Sequence, residues 1–387
     1  MKVLHLERKF PSNTETFIVN QINAMPKCEH SMFTIDFLDT LPSIAKVYNP
    51  PNIPFLADKF LRKKQVSYFK NQSSLIKPDL VHAHYITDAS VFHKVTKNLN
   101  VPKICSCYGY DVSVVPVKFK YFYRYYYEPI IAEYDLFLAM TDEMKKDMLA
   151  MGFPENKIMV HYHGIDTKKF DSDRNYKLIN GKMQILTIAS LLEVKGHETV
   201  LRALGNLKNE APHLKFHYDI VGEGILKETL AQLTRELGIA ENITFHGYLN
   251  HSGGMKTLIQ NANVFVHPSV LTKQNDKEGI PGAIVEAMAS GLPVISTYHG
   301  GIPFVVHDKK TGFLIKEKDD RAMTTILVSL YEDNLREQIG RRAKKYAQEN
   351  LDLYKKAVDL KEIYNSTIEK YSPNINMNPT KSTMPIK

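Results

Sequence analysis

Cysteine is scarce in this 387-residue chain, which has only Cys28, Cys105 and Cys107. Three thiols at irregular spacing make no framework of pairs, which excludes a disulfide scaffold and fits a reducing compartment. Cys105-Ser106-Cys107 has a single residue between the thiols, where redox and zinc motifs have two, so it reads as part of a buried strand. No run reaches the ~20 consecutive apolar residues of a membrane-spanning helix. The opening M-K-V-L-H-L-E-R-K lacks the roughly 7–15-residue apolar core of a secretory signal, and a strand is expected almost at once, over 2–6. A complete dinucleotide fingerprint is missing too. Gly222-Glu223-Gly224 begins one, but Lys227 occupies the third glycine position, which argues against a dehydrogenase. His82 and His84 have no partner at zinc-like spacing. Asp171-Ser172-Asp173 sits in a charged stretch with no strand before it and reads as a solvated loop.

The length predicts roughly two or three domains at ~150 residues each. With 43% hydrophobic and 24% charged residues, a large core is within reach. The formal net charge of +8 favours an anionic partner such as a phosphorylated substrate, nucleic acid or a lipid surface, or else reflects a lysine-rich surface kept soluble.

The most informative stretch is 278–291, E-G-I-P-G-A-I-V-E-A-M-A-S-G. A β-like run over 262–267 precedes it, with a polar loop over 268–277, and a second run over 294–297 follows. Pro281 suits the first turn of a helix, Gly291 its left-handed end, and Pro293 blocks continuation. The loop should open at the carboxyl end of a parallel strand, where α/β sheets bind ligands. Gly279, Ile280 and Gly282 can offer backbone N–H groups to an anion at a helix start, and the glycines allow close approach. Glu278 and Glu286 are acceptor-only and suit hydroxyl groups. Amides for a diphosphate and carboxylates for two sets of hydroxyls describe a nucleotide sugar.

Glu278 and Glu286 with seven residues between them, G-I-P inside the interval and E-A-M-A-S-G-L-P-V after it resemble the donor-site motif of retaining GT-B glycosyltransferases of family 4. The resemblance implies that Glu278 meets the donor sugar and Glu286 the ribose. F-P-S-N-T-E-T-F-I at 10–18 is similar to the opening of members that build bacterial exopolysaccharides of the colanic acid and amylovoran type, and implies that Glu15 helps place the acceptor. P-D-L-V-H-A-H at 78–84 resembles a string bordering the cleft, with His84 the cleft residue and His82 a core histidine. Tyr108-Gly109-Tyr110-Asp111 stands where the family has H-G-x-D, its histidine touching the donor sugar. A phenol can donate a hydrogen bond there, but with a pKa of ~10 it is a poor base. Asp111 positions the acceptor or caps the next helix. Lys195 matches the lysine of G-R-L-x-x-x-K-G that neutralises the diphosphate, while Ala189 and Ser190 replace the glycine and arginine. Gly222 and Gly224 match a turn walling the nucleobase pocket, and Phe304 replaces an acid in G-G-I-P-E.

The resemblance implies two Rossmann-like parallel-sheet domains facing across a cleft. Residues 1–168 would bind the acceptor, 169–182 form a hinge, and 183–350 bind the donor. A helix over 351–370 would cross back to the first domain, with a disordered tail over 371–387. The implied reaction is retaining transfer from a nucleoside-diphosphate sugar to a glycan or lipid-linked saccharide. Glu278, Tyr108 and Lys195 stand at the reacting centre, with no cofactor and no metal. A non-catalytic nucleotide-sugar-binding subunit and a GT-B epimerase remain alternatives, because Tyr108, Ser190 and Phe304 all depart from the motif. Basic-aromatic segments at 59–64 and 117–127 suit an anionic membrane surface or a core-facing stripe, and nucleic acid less well. The expected location is cytoplasmic, at the inner face of the plasma membrane if those segments bind lipid.

Overall fold

A computed structural model describes residues 1–11, 16–38, 43–50, 63–249, 254–272 and 277–375. The chain forms two compact units. The first comprises Met1–Ala139, Lys145–His163 and Tyr354–Lys387, and the second Met140–Met144 and Gly164–Leu353.

The strands of the first unit are β1 (Lys2–Leu6), β2 (Lys9–Phe10), β3 (Glu29–Phe33), β4 (Asp36–Phe37), β5 (Lys46–Tyr48), β6 (Leu80–His84), β7 (Lys103–Cys107), β8 (Leu136–Ala139) and β9 (Ile158–Val160). β2 and β4 pair separately, and the other seven form one parallel sheet in the order β5-β3-β1-β6-β7-β8-β9. The second unit holds β10 (Lys182–Ile188), β11 (Lys215–Val221), β12 (Ile243–Gly247), β13 (Val264–His267), β14 (Val294–Thr297) and β15 (Phe313–Ile315). They are parallel in the order β12-β11-β10-β13-β14-β15. Counted along the chain that order is 3-2-1-4-5-6, the doubly wound arrangement. The central strands are covered on both faces, and every residue of β6, β7, β13 and β14 is buried.

The chain passes into the second unit between His163 and Gly164, earlier than the expected hinge. Arg174 helps to explain why. Its guanidinium donates to the carbonyls of Ile259 (2.7 Å), Ala262 (2.6 Å) and Ser290 (2.9 Å), at the C-terminal ends of helices Gly254–Asn261 and Gly282–Ala289. Those carbonyls have no partner within their helices, and a cation suits that end of the dipole. The last helix, Leu353–Ile375, runs beyond residue 370 into the segment expected to be tail. It returns to the first unit, where Ala357, Leu360 and Tyr364 share a core with Val3, Leu80, Ile104 and Leu138. The edge strand β5 and its neighbour β3 escape the sequence reading. β3 is polar at its start, and β5 falls within the proline-rich stretch read as loop.

Tyr364 fixes the last helix to the sheet, with its hydroxyl 2.6 Å from His82 Nδ1, and both residues are fully buried. Tyr364→Phe leaves that nitrogen without its partner, so it should destabilise the first unit by about 1–3 kcal/mol in denaturant unfolding. An unchanged midpoint would mean that the contact carries no net stability.

Candidate active site

In the second unit β10 and β13 are neighbours at the centre of the sheet, with β11 on the other flank of β10. The crevice outside the carboxyl ends of such strands is where doubly wound sheets bind ligands. The loop leaving β10 ends in the short turn Glu193–Lys195, and the loop leaving β13 ends at helix Gly282–Ala289. These two loops bring Lys195 and Glu278 together as an ion pair, although 83 residues separate them. Both side chains are largely buried.

The loop bearing Glu278 is held from behind. The Glu278 amide donates to His299 Nε2 at 3.0 Å. The imidazole proton therefore sits on Nδ1, which donates to Glu317 at 2.7 Å. The Gly301 amide donates to the Gly279 carbonyl at 3.0 Å. Gly300, at φ +50°, presses against the Glu278 carbonyl so closely that a Cβ would overlap it. Pro281 stands in extended conformation just before the helix, one position earlier than the sequence suggests. Among the described residues the amides of Gly279, Ile280 and Gly282 donate to no partner, which leaves a helix start equipped for an anion. Glu286 lies half-buried one turn into the helix. Gly222 and Gly224 pack against the backbone of Ala189 and Leu191, where any side chain would overlap a carbonyl. They therefore set the path of the loop that carries Ser190 and Lys195. The Ser190 carbonyl accepts from His197 Nε2 at 3.0 Å, closing that loop on itself.

In the first unit Tyr108 follows β7 and His84 ends β6, and the Tyr108 hydroxyl lies 2.8 Å from His84 Nδ1. His84 is fully buried, so the structure gives it no exposed surface for an acceptor. Asp111 is fully buried as well. Its carboxylate accepts from the amides of Ile86 (3.1 Å) and Gly109 (3.3 Å), which makes it a cap for helix Ile86–Thr96. That helix precedes Asp111 in the chain, so the cap is made to an earlier helix and not, as the sequence suggests, to the next one. Glu15 lies outside the described residues.

Burial raises the Asp111 carboxyl from 3.8 to about 6. A raised folded pKa gives stability that is complete below the unfolded value and is lost as pH rises through the folded one. The melting temperature of the wild type, measured relative to Asp111→Asn, should therefore fall between pH 4 and 6, by an amount corresponding to about 3 kcal/mol at most. A pH-independent difference would show that the carboxyl does not titrate in that window.

Sequence reasoning missed His299, Glu317 and His267. His299 directly precedes the Gly300-Gly301 pair, and that position is its only signal. His267 ends β13, is buried, and is kept neutral first by burial and then by the charge of Lys195.

Two solved structures have the same arrangement. HepE from Anabaena, crystallised with UDP, superposes with a TM-score of 0.76 at 17% identity, covering 95% of this chain and 100% of that one. Sucrose-phosphate synthase from Thermosynechococcus elongatus gives 0.75 at 17% identity, covering 96% and 100%. Two Rossmann-like parallel-sheet units, with the last helix returned to the first, define the GT-B class. Residues 14–169 match the glycosyltransferase family 4 domain, and 169–346 match the glycosyl transferases group 1 domain. The chain belongs to these glycosyltransferases.

Among curated relatives, the colanic acid biosynthesis glycosyltransferase WcaL of Salmonella typhimurium is 33% identical over 226 residues, 58% of this chain and 55% of WcaL. The amylovoran biosynthesis glycosyltransferase AmsK of Erwinia amylovora is 33% identical over 207 residues, 53% of this chain and 49% of AmsK. The chain spans about half the length of these curated relatives.

Proposed function

We propose that this chain transfers a glycosyl group, with retention of configuration, from a nucleoside-diphosphate sugar to a glycan or lipid-linked saccharide in cell-surface polysaccharide assembly. The observation that carries the reading is the pairing of Lys195 with Glu278 at the switch point of the second sheet, next to the amides of Gly279, Ile280 and Gly282. A diphosphate at that helix start takes Lys195 as its cation. This releases Glu278 to accept hydrogen bonds from sugar hydroxyls, while Glu286 serves the ribose. Amides and lysine supply the positive charge for the leaving phosphate, so the reading needs no metal or other cofactor. The matched relatives named for colanic acid and amylovoran support a polysaccharide setting, and HepE bound to UDP supports a nucleotide donor. A thermal-shift screen of UDP-, GDP-, dTDP- and ADP-sugars, followed by NMR of the product anomer, tests it. Stabilisation by one nucleotide series and a retained anomer are expected, and no shift with any of them would end the reading.

The first unit also presents a lipid-facing surface in this proposal. Tyr121, Phe122 and Tyr125 are 84%, 78% and 76% exposed, which removes them from any core-facing stripe. Lys118, Lys120 and Arg124 lie among them, a combination suited to an anionic headgroup layer. The segment at 59–64 falls largely outside the described residues. Among the described residues no helix is long and apolar enough to cross a membrane. Changing Tyr121, Phe122 and Tyr125 together to serine should lower co-sedimentation with phosphatidylglycerol vesicles by roughly tenfold or more. Equal binding by the variant, or salt-sensitive binding to RNA in place of vesicles, would refute the membrane contact.

A further inference from the structure

The first unit contains a line of imidazoles for which the transfer reaction has no use. His30 lies on β3, His5 on β1 and His84 at the end of β6, and Tyr108 directly follows β7. Those four strands are consecutive in the sheet, so the line runs across it through the β1/β6 switch point. The contacts are short: His30 Nε2 to the Met25 carbonyl, 2.9 Å; His5 Nε2 to His30 Nδ1, 2.9 Å; His5 Nδ1 to His84 Nε2, 3.0 Å; and His84 Nδ1 to the Tyr108 hydroxyl, 2.8 Å. All three imidazoles are buried.

The far end decides every proton. A carbonyl only accepts, so His30 carries its hydrogen on Nε2 and leaves Nδ1 bare. His5 must then donate from Nε2, His84 must donate from Nε2 to the bare Nδ1 of His5, and the Tyr108 hydroxyl must donate to His84 Nδ1. Burial lowers the pKa of all three imidazoles, that of His84 to about 3, which keeps each with a single proton. The phenol hydrogen is thus committed to the interior. The ring of Tyr108 is partly exposed and is braced by Phe17 at 4.7 Å and Tyr85 at 5.0 Å between centroids.

We propose that this one-way line is an anchor. It holds the Tyr108 hydroxyl inward, so that Tyr108 offers a saccharide its ring and not its phenol at the ligand rim of the first sheet. His84, His5 and His30 are then positioning residues. The saccharide rests on the transfer reading, whereas the direction of the line does not. An aromatic face suits the C–H face of a sugar, because its quadrupole is negative above the ring.

The three imidazoles His5, His82 and His84 also approach within 4.8 Å of one another, as metal ligands would. Each of their six nitrogens is already hydrogen-bonded, however, and a metal would have to break those bonds.

Long-range ¹H–¹⁵N spectra of the full chain labelled at histidine, at neutral pH, read the line without any substrate. His5, His30 and His84 should all be Nε2–H tautomers, unmoved by one equivalent of Zn²⁺. A single Nδ1–H or doubly protonated ring among them, or a stoichiometric zinc shift, would overturn the anchor. His30→Gln keeps the polarity, because its amide can donate to Met25 and its oxygen can accept from His5. His30→Leu lifts the constraint, so the His84 tautomer should become mixed in that variant alone.

Turnover of whichever of UDP-, GDP-, dTDP- or ADP-glucose is consumed reads the ring. Tyr108→Phe, which cuts the tether but keeps the ring, should lose several-fold in kcat/KM, as His30→Leu does, and Tyr108→Ala should lose roughly tenfold beyond that, the scale of one stacking contact. His30→Leu should fall by several-fold with rescue by His30→Gln, and should have no further effect in Tyr108→Ala. Equal losses in Tyr108→Phe and Tyr108→Ala would overturn the proposal in favour of a hydroxyl role. Intact tautomers with no turnover of any sugar would count against the transfer reading and leave the anchor standing.

Discussion

Lys195→Met should weaken nucleotide-sugar binding by roughly ten- to a hundredfold, and Glu278→Ala should depress kcat by a similar or larger factor. A hydrogen bond to a charged group is worth about 1.5–3 kcal/mol, which sets the scale for the lysine. The loss should lie toward the upper end, because Ser190 stands where an arginine would share the phosphate charge. In the free protein Lys195 is paired with Glu278, so its removal also leaves a largely buried carboxylate without its cation. That carboxylate then faces the diphosphate with no cation between them, which opposes binding further. Glu278→Ala removes the group freed when Lys195 turns to the diphosphate, and the deficit should appear in kcat. Glu286→Ala should raise Kd for the nucleotide while sparing kcat. Calorimetry and steady-state kinetics, with circular dichroism to confirm folding, separate the three variants. Wild-type values for both Lys195→Met and Glu278→Ala would remove the site assignment.

How much of this was legible in the sequence depends on how local the cause is. The unit from β13 through helix Gly282–Ala289 to β14 is punctuated by Pro281, Gly291 and Pro293, and its elements lie within a few residues of the expected bounds. β14 was read residue for residue. β5 could not be read, because three residues beside several prolines carry no period. The meeting of Lys195 with Glu278 depends on β10 and β13 lying side by side, a fact of strand order that no local pattern contains. The motif resemblance supplied it instead. Nothing supplied the imidazole line, because His30, His5, His84 and Tyr108 meet only through the order β3-β1-β6-β7. Tyr108 was read as an exchange of one polar group for another. The structure turns its hydroxyl toward His84, a direction that residue type cannot disclose. Asp111 shows the same limit: its type suggests a ligand contact, while its burial among backbone amides makes it a cap.

Gly300→Ala and Gly282→Ala should separate the two things a glycine does in this site. Gly300 has φ +50°, and an added Cβ would overlap the Glu278 carbonyl, a backbone atom that cannot swing aside. The substitution therefore carries both left-handed strain and overlap, roughly 2–4 kcal/mol together. Relief comes only by moving the loop that holds Glu278, which Gly301 and His299 grip from the same side. The expected result is a melting temperature lowered by several degrees and nucleotide-sugar binding reduced by a hundredfold or so. Gly282 is the contrasting case. It is exposed at the first position of the helix, and a Cβ there would meet nothing within 4 Å. Alanine should leave stability unchanged or slightly improved, because it restricts the unfolded chain. If a diphosphate sits on the amides of that helix start, the same methyl group stands in its way, and affinity should fall with no change in melting temperature. Unaltered nucleotide binding in Gly282→Ala, beside a clear loss in Gly300→Ala, would mean that the loop matters for its shape alone and that the anion lies elsewhere.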